Sequence, residues 1–310
     1  MGRQLHTVLG GSGAVGYAVV QELARRKLDI RVVERSKDVQ GFETVRADLL
    51  DPAQAAMAVK DSAYVYLCVG VPYNHKIWQA QWPVVMRNVL DACAEAKARL
   101  VFLDNIYMYG PDPLRVPFDE SHPQEPPSKK GKVRKAVADM LLDAHRSGKI
   151  KAVIGRSADF YGPKARNSLL FSAFLENMLR GKEPQWLASP SARHNYAFTP
   201  DLGRALVTLA LADDAYGQVW HLPVGDPILP REAAELYGKA LDRDFRLRYM
   251  PGVLLKLLSL FVPILREVRE MSYQFNNDYL MSWEKYKARF PDFLITPYEE
   301  GIRETVDSFR

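Results

Sequence analysis

Glycines at positions 10, 13 and 16, placed directly after an apolar run and directly before a helical pattern, constrain this chain more than any other feature. Leu5–Leu9 reads as a strand, and residues 14–26 carry apolar side chains at helical spacing. The loop Gly10-Gly11-Ser12-Gly13-Ala14-Val15-Gly16 therefore joins a strand to a helix, the context in which such a run has mechanical meaning. Gly10 permits a tight turn, Gly13 lets a pyrophosphate approach the backbone, and Gly16 lets the helix pack closely on the strand. N–H groups at the helix start, with Ser12, Ala14 and Val15 around them, then hold phosphates. A tight strand-to-helix turn without a ligand is the weaker alternative.

Downstream, short β-rich runs alternate with longer helical patterns: strand 30–33, a short Thr44–Arg46, helix 52–60, strand 64–69, helix 77–98 and strand 100–103. This alternation is the mark of βαβ units and a parallel sheet. The run 64–69 is apolar at nearly every position, which predicts a central strand covered on both faces. Residues 111–127 are proline-rich with turn formers, which predicts a long surface loop. Helical spacing resumes at Val133, Val137, Met140 and Leu141, and a strand at 152–154 follows. After Tyr161-Gly162-Pro163 the alternation weakens, and the last third is mostly helical in pattern, with a strand at 245–249. The fold class is α/β: a doubly wound parallel-sheet Rossmann fold with a smaller, mainly helical substrate lobe. Residues 1–165, with 192–222 returning, form the nucleotide-binding domain, and 166–191 and 223–310 form the lobe.

Composition narrows the partners. The 310 residues, 47% apolar, allow a sizeable core, and 42 basic against 37 acidic residues leave a thin positive excess spread along the chain. Nucleic acid is not expected as a partner. Cys68 and Cys93 lie in apolar segments, without the close spacing of metal ligands, which predicts reduced thiols and a cytoplasmic location. Met1 leads quickly into a strand-like segment, without an export pattern. The apolar stretch 253–265 contains Lys256 and Pro263 and falls short of the roughly 20 residues of a membrane span. It reads as a buried or lipid-grazing helix, with burial favoured.

Ribose selectivity is decided after the second strand, at Glu34-Arg35-Ser36-Lys37. A carboxylate there bonds the 2′-hydroxyl of NAD, whereas a nearby Arg accommodates the 2′-phosphate of NADP. Both signals are present, so the cofactor is NAD(P), with a slight lean to NADP from Arg35 and Lys37. Asp48 and Leu49 follow the third strand, where Asp48 either accepts from an adenine amino group or caps the next helix. Cys68, Val69 and Gly70, closing the fourth strand, complete the candidate cofactor-binding set.

Several segments together resemble the NAD-dependent epimerase/dehydratase family of extended short-chain dehydrogenase/reductases. They are residues 10–16, Ala47-Asp48-Leu49, Asp104-Asn105-Ile106-Tyr107-Met108-Tyr109-Gly110, Gly155-Arg156-Ser157-Ala158-Asp159-Phe160-Tyr161-Gly162-Pro163 and Phe198-Thr199-Pro200-Asp201-Leu202. The resemblance implies a Ser or Thr, a Tyr, and a Lys four residues after the Tyr, with the Lys depressing the tyrosine pKa. This chain departs from that pattern. Asp104-Asn105 stands where the hydroxyl residues belong, the Tyr slot 21 residues after Tyr109 holds Lys130, and the Lys slot holds Arg134. An atypical member is therefore expected. Its candidate catalytic residues are Asn105, Tyr107, Lys130 (among cations such as Lys132 and Arg134) and Arg134, with Tyr109 more readily assigned to core packing.

On the substrate side, Ser157, Phe160 and Tyr161 are expected to line the nicotinamide. Arg156 either reaches phosphate or pairs with a carboxylate. His194 follows Arg193 and reads first as structural, Asp201 as a helix cap, and Met250, Trp283, Phe290 and Phe293 as core rather than pocket. No His/Cys/Asp cluster in the sequence suggests a metal. Two functions follow: an oxidoreductase or epimerase acting on a carbonyl or secondary alcohol of a small molecule, or a silent dinucleotide-binding sensor. The resemblance also implies a homodimer through helices 77–98 and 133–145.

Overall fold

Seven parallel strands form the central sheet in a computed structural model that describes residues 4–249, 261 and 263–310. They are β1 (Leu5–Leu9), β2 (Asp29–Glu34), β3 (Thr44–Arg46), β4 (Tyr64–Leu67), β5 (Arg99–Asp104), β6 (Lys151–Arg156) and β7 (Val219–His221), in the order β7-β6-β5-β4-β1-β2-β3. The all-apolar β4 is the middle strand, as its sequence predicts, and all four of its residues are buried. The chain order reverses between β1 and β4, which creates the crevice at the carboxyl edge where ligands of such sheets bind.

Helices α1 (Ala14–Arg25), α2 (Pro52–Val59), α3 (His75–Ala96), α4 (Lys129–Arg146) and α6 (Thr199–Leu211) cover the sheet. One apolar cluster joins α1 and α6 to one face, through Val8, Val19, Val32, Leu202 and Leu206. A second joins α2, α3 and α4 to the other, through Val65, Trp82, Val89, Phe102 and Val137. Gly203 lets α6 lie against α1, since a Cβ there would stand 2.5 Å from the carbonyl carbon of Ala18. Helix starts follow local chemistry: Asp51 accepts from Ala53 and Gln54, Asn74 from Lys76 and Ile77, and Ser128 from Gly131.

A third cluster lies beyond the sheet and gathers Tyr161, Phe174, Trp186, Tyr237 and Ile302. It draws on the short π-helical segment Phe171–Leu175, α7 (Pro230–Ala240) and the helix Tyr298–Asp307. Trp283, Phe290 and Phe293 pack against the first cluster, as core residues. Met250 and most of the stretch 253–265 lie outside the described residues.

The proline-rich stretch 111–127 is more than a surface loop. Phe118 is buried, packs against Tyr109, Tyr279 and His221, and exchanges backbone hydrogen bonds with Leu280 and Ser282 at 2.9 and 2.8 Å. Its anchor lies more than 160 residues away, beyond the reach of local pattern reading. Among the described residues no helix is long and apolar enough to cross a membrane.

Candidate active site at the carboxyl edge

Of the three motif glycines, the protein itself requires Gly10 and Gly16 but not Gly13. Gly10 has a φ of +88° and lies where a Cβ would meet the Val69 backbone at 2.8 Å, and a Cβ on Gly16 would stand 2.0 Å from the Gly10 carbonyl oxygen. Gly13, at φ −70° and ψ 160°, has a backbone any residue adopts, and its nearest neighbour to a Cβ is 3.4 Å away. What demands a glycine at 13 therefore lies on the open side of the loop. Unlike α2, α3 and α4, α1 has no side-chain cap, so its first-turn N–H groups have no side-chain partner.

Glu34, at the end of β2, turns inward. Its Oε1 accepts from the Ser12 backbone N–H at 2.5 Å, while Arg35, Ser36 and Lys37 are exposed. Asp48 does not cap α2, because Asp51 does. It accepts from the Leu50 N–H at 3.0 Å, in a local turn, and is partly exposed. Leu49 is buried beside it. Past β4, burial raises the Cys68 thiol to about 12, so it is no nucleophile, while Val69 bears on Gly10 and Gly70 is exposed.

At the end of β5 the buried Asp104 carboxylate collects two cations. Oδ1 accepts from Arg134 Nε and Nη2 at 2.8 and 2.5 Å, and Oδ2 faces Arg156 Nε at 3.4 Å. Arg134 also lies over the Trp82 and Phe102 rings at 4.3 and 4.9 Å. Arg156, fully buried, donates to Tyr109 Oη at 2.9 Å, which settles it as a carboxylate partner rather than a phosphate ligand. Tyr109 also meets His221 Nε2 at 2.6 Å, and burial raises its phenol to about 12 despite Arg156. It is a core residue. Next to this network, Asn105 Oδ1 accepts from the Tyr107 N–H at 3.1 Å, which fixes the amide with its NH2 group as donor.

The basic run from 129 to 135 is split by the helix. Lys129 and Lys132 are exposed, whereas Lys130 and Arg134, one turn apart, are buried. Lys130 does not stand among cations, as its sequence neighbours suggest. Its Nζ lies 2.5 Å from Glu267 and 2.7 Å from Glu270, on the helix Pro263–Glu270, and 4.6 Å from the Tyr73 ring centre. Glu270 also accepts from the backbone N–H groups of Lys129 and Lys130, so its charge complements the start of α4. Burial works to raise the Glu267 pKa, but Lys130 and His75 outweigh it and hold the carboxyl below its usual range. His75, Glu267 and Glu270 present ligand atoms within 4.8 Å of one another, yet the Lys130 ammonium already supplies the cation there.

Tyr107 stacks on Trp78, and burial pushes its phenol well above the usual value. That is opposite to the depressed pKa a tyrosinate base requires. Of the expected nicotinamide-lining residues, Ser157 donates to the Ala158 carbonyl at 2.7 Å and Phe160 packs partly buried against the core. Tyr161 needs correction: its ring is in the third cluster, against Phe198 and Tyr298, so it is core. Between them stands Asp159, which the sequence reading passed over. Among the described residues no hydrogen bond or ion pair reaches its carboxyl group, and burial raises it to about 6. A carboxyl with no local partner has no sequence signature.

Elsewhere, Arg193 is paired with Asp278, and His194 Nε2 donates to the Gln274 carbonyl oxygen (2.8 Å) inside an aromatic cage, a structural role. Asp201 is not a cap. It lies within the first turn of α6 and accepts from Thr296 and Arg204.

The model of the NAD dependent epimerase/dehydratase family matches residues 6–222. The chain belongs to that family. A mouse protein (Mus musculus) named sterol-4-alpha-carboxylate 3-dehydrogenase, decarboxylating, is 23% identical over 98% of this chain and 90% of its own length. Among solved structures, UDP-glucose 4-epimerase of Thermotoga maritima with UDP-glucose superposes with a TM-score of 0.81 at 19% identity, over 99% of both chains. The Bordetella bronchiseptica enzyme WbmH with NAD+ does so with a TM-score of 0.78 at 19% identity, over 100% and 99%. The family member described here thus shares their fold, with the glycine loop at the same place in the βαβ order that its sequence predicts.

Proposed function

We propose that this protein binds NAD(H) and carries out a redox step at a secondary alcohol or carbonyl of a small molecule. The observation that carries the reading is the glycine loop: an uncapped helix start, a Gly13 position closed to side chains only from the ligand side, and an inward Glu34. Glu34 favours NAD(H) over NADP(H), because a second anionic group beside its carboxylate is repelled, whereas the ribose 2′-hydroxyl donates to it. Arg35 and Lys37, the basis of the lean to NADP, stand exposed outside that contact. Asp48 is free of capping and serves the adenine amino group. A dehydrogenase and 4-epimerases among the similar proteins support the reaction class.

When bound, the dinucleotide supplies the hydride acceptor or donor. The chain supplies orientation and proton control. The Asn105 NH2 group donates to the substrate oxygen in place of a Ser or Thr hydroxyl, and Lys130 Nζ holds the proton in the slot of the absent Tyr. Arg134, bound to Asp104, positions the end of β5. Calorimetric titration with NADH and NADPH, repeated on Gly13→Val, tests the cofactor claim. Binding of NADH at least about 100-fold tighter than by the variant, with unchanged melting, is expected; equal binding by both sinks it.

A second reading, a dinucleotide sensor without turnover, is favoured by one observation: Lys130 is already neutralised by Glu267 and Glu270. NADH binding without turnover of any ketone or aldehyde across a broad panel would select it. A homodimer through exposed parts of α3 and α4 belongs to either reading and is tested by light scattering.

A further inference from the structure

We infer that Lys164 is the counter-cation of the dinucleotide's diphosphate at the start of α1. The inference rests on the reading of the glycine loop as a dinucleotide site, and it adds a positive charge that residues 10–16 themselves lack.

Contacts between two helices fix where this residue stands. Ala18 of α1 lies against Gly203 of α6, and at the far end Arg26 donates to Thr208 Oγ1 at 3.2 Å, so the helices run side by side in the same direction. Ala18 and Gly203 each come four residues after the first residue of their helix, Ala14 and Thr199, which makes the two starts level. Gly162, at φ +142°, is pressed against the start of α6, where a Cβ would stand 2.0 Å from Thr199 Oγ1. From there a tight turn, closed by Ala165 N–H to Gly162 O at 3.2 Å and Arg166 N–H to Lys164 O at 2.9 Å, carries Lys164 across to α1. Its Nζ lies 4.3 Å from the centre of the Tyr17 ring. The Tyr17 N–H donates to the Gly13 carbonyl at 2.8 Å, which closes the first turn of α1. Helix side chains lean toward the N-terminus, so the Tyr17 ring covers the turn that begins at Gly13. The ammonium above that ring therefore stands beside the N–H groups that no side chain caps.

The charge of Lys164 is free for a ligand. The residue is exposed, and among the described residues no carboxylate pairs with it. Asp201, the acidic residue in the first turn of α6, is engaged by Arg204 and Thr296. Arg166 turns away, its guanidinium 5.7 and 5.0 Å from the ring centres of Phe171 and Phe309. The charged side chain that does touch the loop, Glu34 at the Ser12 N–H, is negative. A diphosphate at the start of α1 brings further negative charge to that place, and Lys164 offsets it together with the helix N–H groups. Lys164 holds this position at φ +62°, a left-handed backbone that costs strain for any residue but glycine.

Calorimetry with NADH and with ADP-ribose on wild type, Lys164→Met, Lys164→Arg and Lys164→Gly is the test. Absence of NADH binding by wild type overturns the dinucleotide reading and this inference together, whereas NADH binding that Lys164→Met leaves intact overturns this inference alone. At low salt Lys164→Met is expected to bind NADH about tenfold more weakly than wild type, and Lys164→Arg to stay within about threefold of it. ADP-ribose, which keeps the diphosphate and lacks the nicotinamide, should lose the same factor. The deficit of Lys164→Met should shrink as salt rises, because an exposed ammonium is screened. Lys164→Gly suits the positive φ, so it should melt no lower than wild type and still share the loss of affinity. A deficit equal at every salt concentration, or seen with NADH and not with ADP-ribose, overturns the inference, as does full NADH affinity in Lys164→Gly.

Discussion

The two ends of the sheet edge solve opposite problems. At the glycine loop the groups on offer are the first-turn N–H groups of α1, which have no side-chain cap, and the loop's course is held by the steric contacts of Gly10 and Gly16. At the far end, past β5 and β6, the groups are long side chains, and those of Lys130, Arg134 and Arg156 are closed onto carboxylates. The first end depends on positions, Gly10 and Gly16, where a Cβ would collide with backbone, whereas the second depends on side chains that reach partners far along the chain.

Four substitutions sharpen that contrast. Arg134→Leu, which leaves the buried Asp104 with the Asn105 N–H and one long contact to Arg156, should cost about 4 kcal/mol in urea unfolding. Joint replacement of Asp104 and Arg134 by apolar residues should recover most of it; no recovery would mean that the pair is more than a neutralised charge. Gly16→Ala pushes a methyl group into the Gly10 carbonyl and should cost about 3 kcal/mol, measured as a drop in melting temperature that Gly13→Val does not share. Were both glycines to behave alike, the division of the loop would fail.

Asp159→Asn should do the reverse and stabilise the protein by about 2 kcal/mol at neutral pH. The folded carboxyl titrates near 6, above its ordinary 3.8, so the native state binds this proton more tightly than the unfolded chain. Its favourable contribution is complete below about pH 4 and is lost as the pH rises through 6. The gap between variant and wild type should open over that interval, and a gap independent of pH would disprove the assignment. Smallest is Glu34→Gln, expected to weaken NADH binding by about 1 kcal/mol and to raise the relative affinity for NADPH, as read by calorimetry.

How far the sequence could be read follows the same division. The strand, loop and helix around residues 5–25 announce themselves within a window of about 20 residues, and the central position of β4 follows from its unbroken apolar run. Lys130 is different. Its spacing from Tyr109 finds the slot, but its burial depends on Glu267 and Glu270, over 130 residues later, where the local run of cations 129–135 gives no sign of them. A motif gives chain position and not the direction of a ring, so nothing near Tyr161 in sequence announces its packing against Phe198 and Tyr298, and Asp159 has no signature because its distinguishing property is the lack of a partner.

The tie between Lys130 and the helix Pro263–Glu270 has a consequence for the order of assembly. The contacts span 137 and 140 residues of chain, whereas β1 to β5 with their helices build from neighbours close in sequence. Closing so long a loop is entropically costly and comes late. Until then the ammonium of Lys130 must remain in water, and the first turn of α4 lacks the Glu270 carboxylate that meets its N–H groups. The half of the sheet from β1 to β5 can therefore form early, while Lys130 and the start of α4 find their partners only when the helix Pro263–Glu270 docks.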